Sequence, residues 1–232
     1  MKTVDEIFGI ETKDKELFNI ALTHSSYTKA NDLDHTKCYE RLEFLGDAVL
    51  KLTVSDILLK KYPNYTEGQM SNIRSFVVSD NTLAQLSIEN GLNKLIVLSK
   101  DAQKQGGQKI PSVIACAFEA VLGAYYLEGK YLEVLKYIET TFTPIIDEIE
   151  SNLGKLNAKA ILQEYTQGLT KDRPVYEIIE ETGPDHKKSF TVAVSYEGKI
   201  LAKGKGKTKK EAEQQSAYKA CEKLGLVGEP KL

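Results

Sequence analysis

The twelve residues from Tyr39 to Leu50, YERLEFLGDAVL, place a glycine in the middle of a run that otherwise favours helix. Glycine inside a helix costs about 1 kcal/mol against alanine, so Gly46 implies that another backbone, a ligand or a metal site comes close there. Wound as a helix, the run puts Glu40, Glu43 and Asp47 at i, i+3 and i+7, on one face. Leu42, Leu45, Val49 and Leu50 cover much of the remaining circumference, which predicts a largely buried helix. Like charges one turn apart repel, and burial makes this worse unless a cation lies between them. An all-oxygen donor set suits a hard divalent ion such as magnesium or manganese. The plain alternative is a solvated acidic face with Arg41 and Lys51 alongside.

A second acidic helix weighs against that alternative. In SVIACAFEAVLGAYYLEG, Glu119 follows Cys116 by one turn and is flanked by Val113, Ala117, Val121 and Leu122. Gly123 and Ala124 are small, as a close helix–helix contact requires. Alone, Glu119 reads as a carboxylate paired to a local Lys or Arg. Together with Glu43 and Asp47 it predicts a cluster of oxygens around one or two metal ions, which activates water and stabilises charge in phosphodiester hydrolysis.

Up to about residue 150 the chain reads as helices joined by polar breaks, with no strand-like alternation. LFNIALTHSSY has helical spacing, the acidic run continues to a stop near Pro63, and EGQMSNIRSF and SDNTLAQLSIEN follow, the last closed at Gly91. SKDAQKQGGQKIP (residues 99–111) is expected to be a polar loop, with Lys104, Lys109 and Ser112 beside the site or in a plain flexible connector. Helix is then expected from Ser112 and again over 131–150.

SNLGK (151–155), short, polar and glycine-bearing, predicts the domain boundary. Charge changes there too. From Lys155 onward there are 15 Lys and Arg against 11 Asp and Glu, a net of +4, while the preceding part has 16 against 22, a net of −6. A basic back half fits a polyanionic partner. Helix is predicted over 158–167, and period-two alternation predicts strands over 175–181, 189–196 and 199–205, with Glu197-Gly198 as a tight turn. Thr208-x-x-Glu211 opens a last helix with a capping box. The order α-β-β-β-α is a compact helix-on-sheet module.

ERLEFLGDAVL, with ALTHSSY before it and FEAVLGAYYLEG after it, resembles the signature blocks of the ribonuclease III family in order. The back half, with its GPDHKK turn and AEQQSAYKACEKL tail, resembles a double-stranded-RNA-binding domain. The resemblance covers nearly the whole chain. It implies an all-α endonuclease domain (1–152) followed by an α+β duplex-binding domain (156–228), working as a homodimer without a small-molecule cofactor. The implied activity is magnesium-dependent cleavage of double-stranded RNA to 5′-phosphates and 3′-hydroxyls, in the processing of ribosomal and messenger RNA. By position, Glu43, Asp47 and Glu119 would be metal ligands, Glu40 an acid near the dimer cleft, and Phe44 an aromatic plug into the partner. In the back half, Gln163 and Gln167 would meet the minor groove. His186, Lys187 and Lys188 would contact the duplex from their turn, and Lys207, Lys209 and Lys210 would meet phosphate at a helix N-terminus.

One position departs: the family usually has an aspartate where this chain has Cys116. A thiol, with a reference pKa of about 8.5, is neutral near pH 7 and a poor magnesium ligand. The expectation is cleavage that persists with weakened metal affinity. Its rival is a duplex-binding protein of the same fold that no longer cuts, and a purely structural scaffold would leave the three acids unexplained. Three separated cysteines without a C-x-x-C pair argue against a disulfide framework or zinc cluster. With no signal-like start and no apolar run near the ~20 residues of a membrane span, the expected location is the cytoplasm.

Overall fold

The computed structural model describes residues 2–184 and 187–227. His186, one of the expected RNA contacts, lies outside the described residues. The chain divides into two compact units, Met1–Asp147 and Glu148–Leu232.

The first unit is built of helices α1 (Val4–Phe8), α2 (Lys15–Ala21), α3 (Ser25–Ala30), α4 (Glu40–Lys61), α5 (Glu67–Val77), α6 (Asp80–Asn90), α7 (Lys100–Lys104), α8 (Pro111–Leu127) and α9 (Tyr131–Ser151), the last crossing the division in its final turn. Local chemistry sets their ends. α4 stops at Tyr62, before Pro63. Thr66 and Gln69 form a reciprocal capping box on α5, Ser79 caps α6, and Gly91, at φ 93°, closes it in the left-handed region. α8 begins with Pro111, where a missing N–H costs nothing. Phe8, Phe18, Phe118, Tyr125 and Phe142 are buried together around α8, with Phe18 and Tyr125 edge-on at 4.6 Å.

Two expectations are corrected here. LFNIALTHSSY is not one helix: it breaks between α2 and α3, where Thr23 bridges Val97, the His24 N–H donates to the Val97 carbonyl at 2.9 Å, and the Val97 N–H donates to Leu22 at 2.8 Å. His24 then caps α3, its Nδ1 accepting from the Ser26 N–H. Residues 99–111 are not a loop throughout. Ser99 caps α7, and Gly107–Lys109 form a 3-10 turn before α8, so local caps impose helix on a segment whose composition alone reads as irregular.

The second unit contains α10 (Leu153–Leu156), α11 (Ala158–Thr170), β1 (Val175–Thr182), β2 (Ser189–Tyr196), β3 (Lys199–Gly206) and α12 (Lys209–Leu224). The strands form an antiparallel sheet in the order β1-β2-β3. α11 and α12 cover one face around Leu162, Val194, Ala202, Ala217, Ala220 and Cys221. Glu197 and Gly198, at φ 49° and 73°, make the tight β2–β3 turn. Glycines in KGKGK have a packing reason: a Cβ on Gly204 would fall 2.2 Å from the Ser216 nitrogen and 2.4 Å from the Ala212 carbonyl oxygen. Only bare backbone lets α12 seat on β3. The capping box at Thr208 is partly redirected. Thr208 Oγ1 accepts from the Glu211 N–H, but the Glu211 carboxylate reaches back to the Lys207 N–H at 2.8 Å.

Candidate active site and duplex-binding surface

Gly46 is where α4 meets α8. A Cβ there would lie 1.7 Å from the Glu119 carbonyl oxygen and 2.9 Å from the Gly123 nitrogen. Reciprocally, a Cβ on Gly123 would lie 2.2 Å from the Leu42 carbonyl oxygen. The helices therefore touch backbone to backbone, and the glycine that costs α4 helical propensity sets that contact. Its consequence is lateral: Glu119, one turn before Gly123, is brought against Glu43 and Asp47 on the neighbouring helix.

Electrostatics follow from this approach. Burial, then the charges of Asp47 and Glu43 and a hydrogen bond with Asp47, push the Glu119 carboxyl up to about 8, against the weaker opposing pull of Lys51. Protonated Glu119 is thus the donor to Asp47, which also takes the Lys51 ammonium at 2.8 Å. The Cys116 thiol donates to Glu43, and burial together with Glu43, Glu119 and Asp80 holds its proton on. Tyr39, buried at the start of α4, has its phenol pushed up by burial and by the same negative surroundings. Glu43, Asp47 and Glu119 are half-buried rather than fully enclosed, and Glu40, the first residue of α4, is exposed.

Asp80 was not anticipated from the sequence. It opens α6, which packs on α8, and its charge reaches the Cys116 thiol. Nothing in the local pattern signals it, because its nearness depends on how the third helix docks. Among the described residues no three His, Cys, Asp or Glu side chains are already drawn to one point as a coordination sphere. The acids are held instead as pairs: Glu119 with Asp47, Asp47 with Lys51, and Cys116 with Glu43. This donor set fits a divalent cation, since a carboxyl kept protonated at neutral pH by burial and by two carboxylate neighbours lacks the countercharge such an ion brings.

In the second unit, Gln163 and Gln167 lie one turn apart on α11 and share a hydrogen bond at 3.4 Å. Lys187, Lys207, Lys209 and Lys210 are exposed. Lys209 Nζ lies 5.8 Å from the centre of the Phe190 ring, and Lys188 pairs with Glu181 at 2.8 Å.

Comparison with known proteins matches the same two units. Residues 14–146 match a profile described as Ribonuclease-III-like, and residues 158–224 match the double-stranded RNA binding motif. The chain belongs to the ribonuclease III family. Proteins named Ribonuclease 3 from Bdellovibrio bacteriovorus and Listeria monocytogenes are 40% and 41% identical to it, over 95% of this chain and 94% and 96% of theirs. A nuclease-domain structure of the Campylobacter jejuni ribonuclease III aligns with a TM-score of 0.53 at 34% identity, covering 62% of this chain and 98% of that one. A second structure of that domain, described as flexible in a region involved in dimer formation, aligns with the same TM-score and identity over 60% of this chain and 95% of that one. As a ribonuclease III, the chain is a divalent-metal-dependent endoribonuclease for double-stranded RNA, a helical nuclease unit followed by a duplex-binding module. Among the described residues no helix is long and apolar enough to cross a membrane.

Proposed function

We propose that Glu43, Asp47 and Glu119 hold a magnesium ion, with manganese as a substitute, for hydrolysis of duplex RNA to 5′-phosphate and 3′-hydroxyl ends. The observation that carries this is the Gly46–Gly123 contact, which presses Glu119 onto two other carboxylates. When bound, the ion activates water and offsets charge developing on the phosphate. Lys51 steadies Asp47, the Cys116 thiol orients Glu43, and Glu40 extends the acidic face toward the dimer cleft. Half-burial keeps the acids from full hydration while leaving their carboxyl groups open to a phosphodiester.

In this reading the duplex is gripped by Gln163 and Gln167 at the minor groove, by His186 and Lys187, and by Lys207, Lys209 and Lys210 at the start of α12. The nuclease domain spans 1–152 and the duplex-binding domain 156–228, acting in cytoplasmic maturation of ribosomal and messenger RNA. Two copies pair through α4. Phe44 is 82% exposed, Leu52 and Leu59 are 60% and 62% exposed, and a cavity of about 350 Å³ lined by Leu17, Ile20, Leu42, Leu45 and Leu127 can receive an aromatic ring. The relatives' dimer-forming nuclease domain supports this pairing.

A labelled long duplex incubated with and without magnesium tests the proposal. Discrete products that need the ion and vanish in Glu119→Ala are expected. Intact RNA with only a mobility shift would sink the reading in favour of a binder. Nothing among the described residues favours that binder, since Glu43, Asp47 and Glu119 are all retained beside Cys116.

A further inference from the structure

The sheet of the second unit has a face that the helices leave open. Val192, Val194 and Ala202 pack in the clusters beneath the helices, so their neighbours along β2 (Thr191, Ala193 and Ser195) face the other way, with Ala193 itself only 4% exposed. Irregularities at Ile179 in β1 and Leu201 in β3 break strict alternation on the edge strands, so the outer residues there are those paired with these three. The strand registers arrange these in three rows. Val175 lies opposite Ser195 and Ser195 opposite Ile200; Glu177 opposite Ala193 and Ala193 opposite Lys203; Glu180 opposite Thr191 and Thr191 opposite Lys205. One edge strand thus carries two acids and a valine, the other two lysines and an isoleucine, and the middle strand carries only small side chains. Val175 and Ile200 are 53% and 61% exposed. Among the described residues Glu177, Lys203 and Lys205 enter no ion pair, and Glu180 meets only the Thr191 hydroxyl, at 3.1 Å.

This layout is self-complementary about one axis. Laying a second copy face-down with a two-fold axis along β2 sets the β1 of each module over the β3 of the other and leaves every row at its own height. Each Glu177 then meets Lys203, each Glu180 meets Lys205, and each Val175 meets Ile200. Ala193, Thr191 and Ser195 of the two copies face one another on the axis, where their small size permits close sheet packing. An axis running across the strands would instead lay acid on acid and lysine on lysine. We propose that this open sheet face pairs with the same face of a second copy of the chain.

The charge pattern decides against RNA as the occupant, because a phosphate backbone crossing the lysine column would also meet the acidic one. It also leaves the α11 and α12 surface free for the duplex. The face is small: strand spacing of about 4.8 Å and a rise of about 3.3 Å per residue give roughly 300 Å² per module. Standard stable interfaces bury about 800 Å² per partner. Pairing is therefore weak between free molecules and gains where several are held on one long duplex.

Charge reversal on the full-length protein tests this at low ionic strength, where surface charges are least screened. Sedimentation should show concentration-dependent association beyond any pairing through α4. Glu177→Lys with Glu180→Lys, or Lys203→Glu with Lys205→Glu, should each weaken it by at least about tenfold. Mixing the two reversed proteins should restore it. Geometry gives a second readout: Ser195→Cys, on the axis, should form an oxidised dimer with itself. Glu177→Cys should not, unless mixed with Lys203→Cys. Reversals without effect, a mixture that fails to recover, or a Ser195→Cys protein that forms no disulfide-linked dimer on oxidation would each overturn the proposal. So would loss of duplex binding in the lysine reversals with association unchanged, which would assign the column to RNA.

Discussion

Raising the pH from 6 to 9 should strengthen metal binding at the acidic cleft by about two orders of magnitude, and Glu119 is the reason. Its carboxyl titrates near 8, so at pH 7 it is about 90% protonated and at pH 6 about 99%. A protonated carboxyl cannot take a cation without first losing its proton, so apparent affinity should fall about tenfold for each pH unit below 8. Above that value the dependence should flatten. Calorimetric titration of the RNA-free protein with manganese or magnesium, in two buffers of different ionisation enthalpy, measures both consequences. At pH 7 about one proton should be released per site. Glu119→Gln should abolish the release and the slope together, with weaker binding throughout. A midpoint that does not move between pH 6 and 8, or heats independent of buffer, would refute the argument.

The same shift has a stability side. A carboxyl raised above its usual 4.5 favours the fold fully below that value, and the benefit is lost as pH climbs toward about 8. Metal-free protein should therefore lose stability across that window, on the order of 2 kcal/mol once the solvent reach of a half-buried group is discounted. Glu119→Gln should remove the loss.

Cys116→Asp should raise cleavage at low magnesium by roughly 10-fold or more, read as a lower metal midpoint; an unchanged midpoint would make the position unimportant. Gly46→Ala gains about 1 kcal/mol of helix propensity. It must, however, push away the α8 backbone, whose Glu119 carbonyl oxygen lies 1.7 Å from the new methyl, an overpacking cost of about 3 kcal/mol or more; a lower melting temperature and lost cleavage are expected. Lys210→Ala should weaken duplex binding uniformly across sequences and reduce the slope of log affinity against log salt by about one.

Much of this was legible from one dimension because the determining features are local or periodic. The carboxylate spacing, the stop at Pro63, the Ser79 cap, the Gly91 end and the Glu197-Gly198 turn each follow from a few adjacent residues. Gly46 announced a close approach without saying by what. The partner, the Glu119 carbonyl, is a tertiary fact. Other features required coordinates for the same reason. The break at Thr23 depends on a bridge to Val97, more than seventy residues on. Asp80 matters only because α6 docks against α8. The glycines between lysines in KGKGK carry no local signal of their role, which is close packing of β3 against α12.

A single contact joins the fold to its chemistry. Two small residues let α4 and α8 approach at backbone distance, and at that distance side chains one turn away have no room to avoid one another. Three carboxylates on such a pair of helices are tolerated without a cation only by sharing protons and borrowing lysine: Glu119 keeps its proton, Cys116 lends its own to Glu43, and Lys51 takes Asp47. Each of these arrangements is one that a divalent ion would replace. The site is therefore held folded by interactions weaker than those it is built to make, so replacing Glu119, the carboxyl whose charged form the fold disfavours, by glutamine should stabilise the metal-free protein above about pH 8 and weaken its hold on the metal.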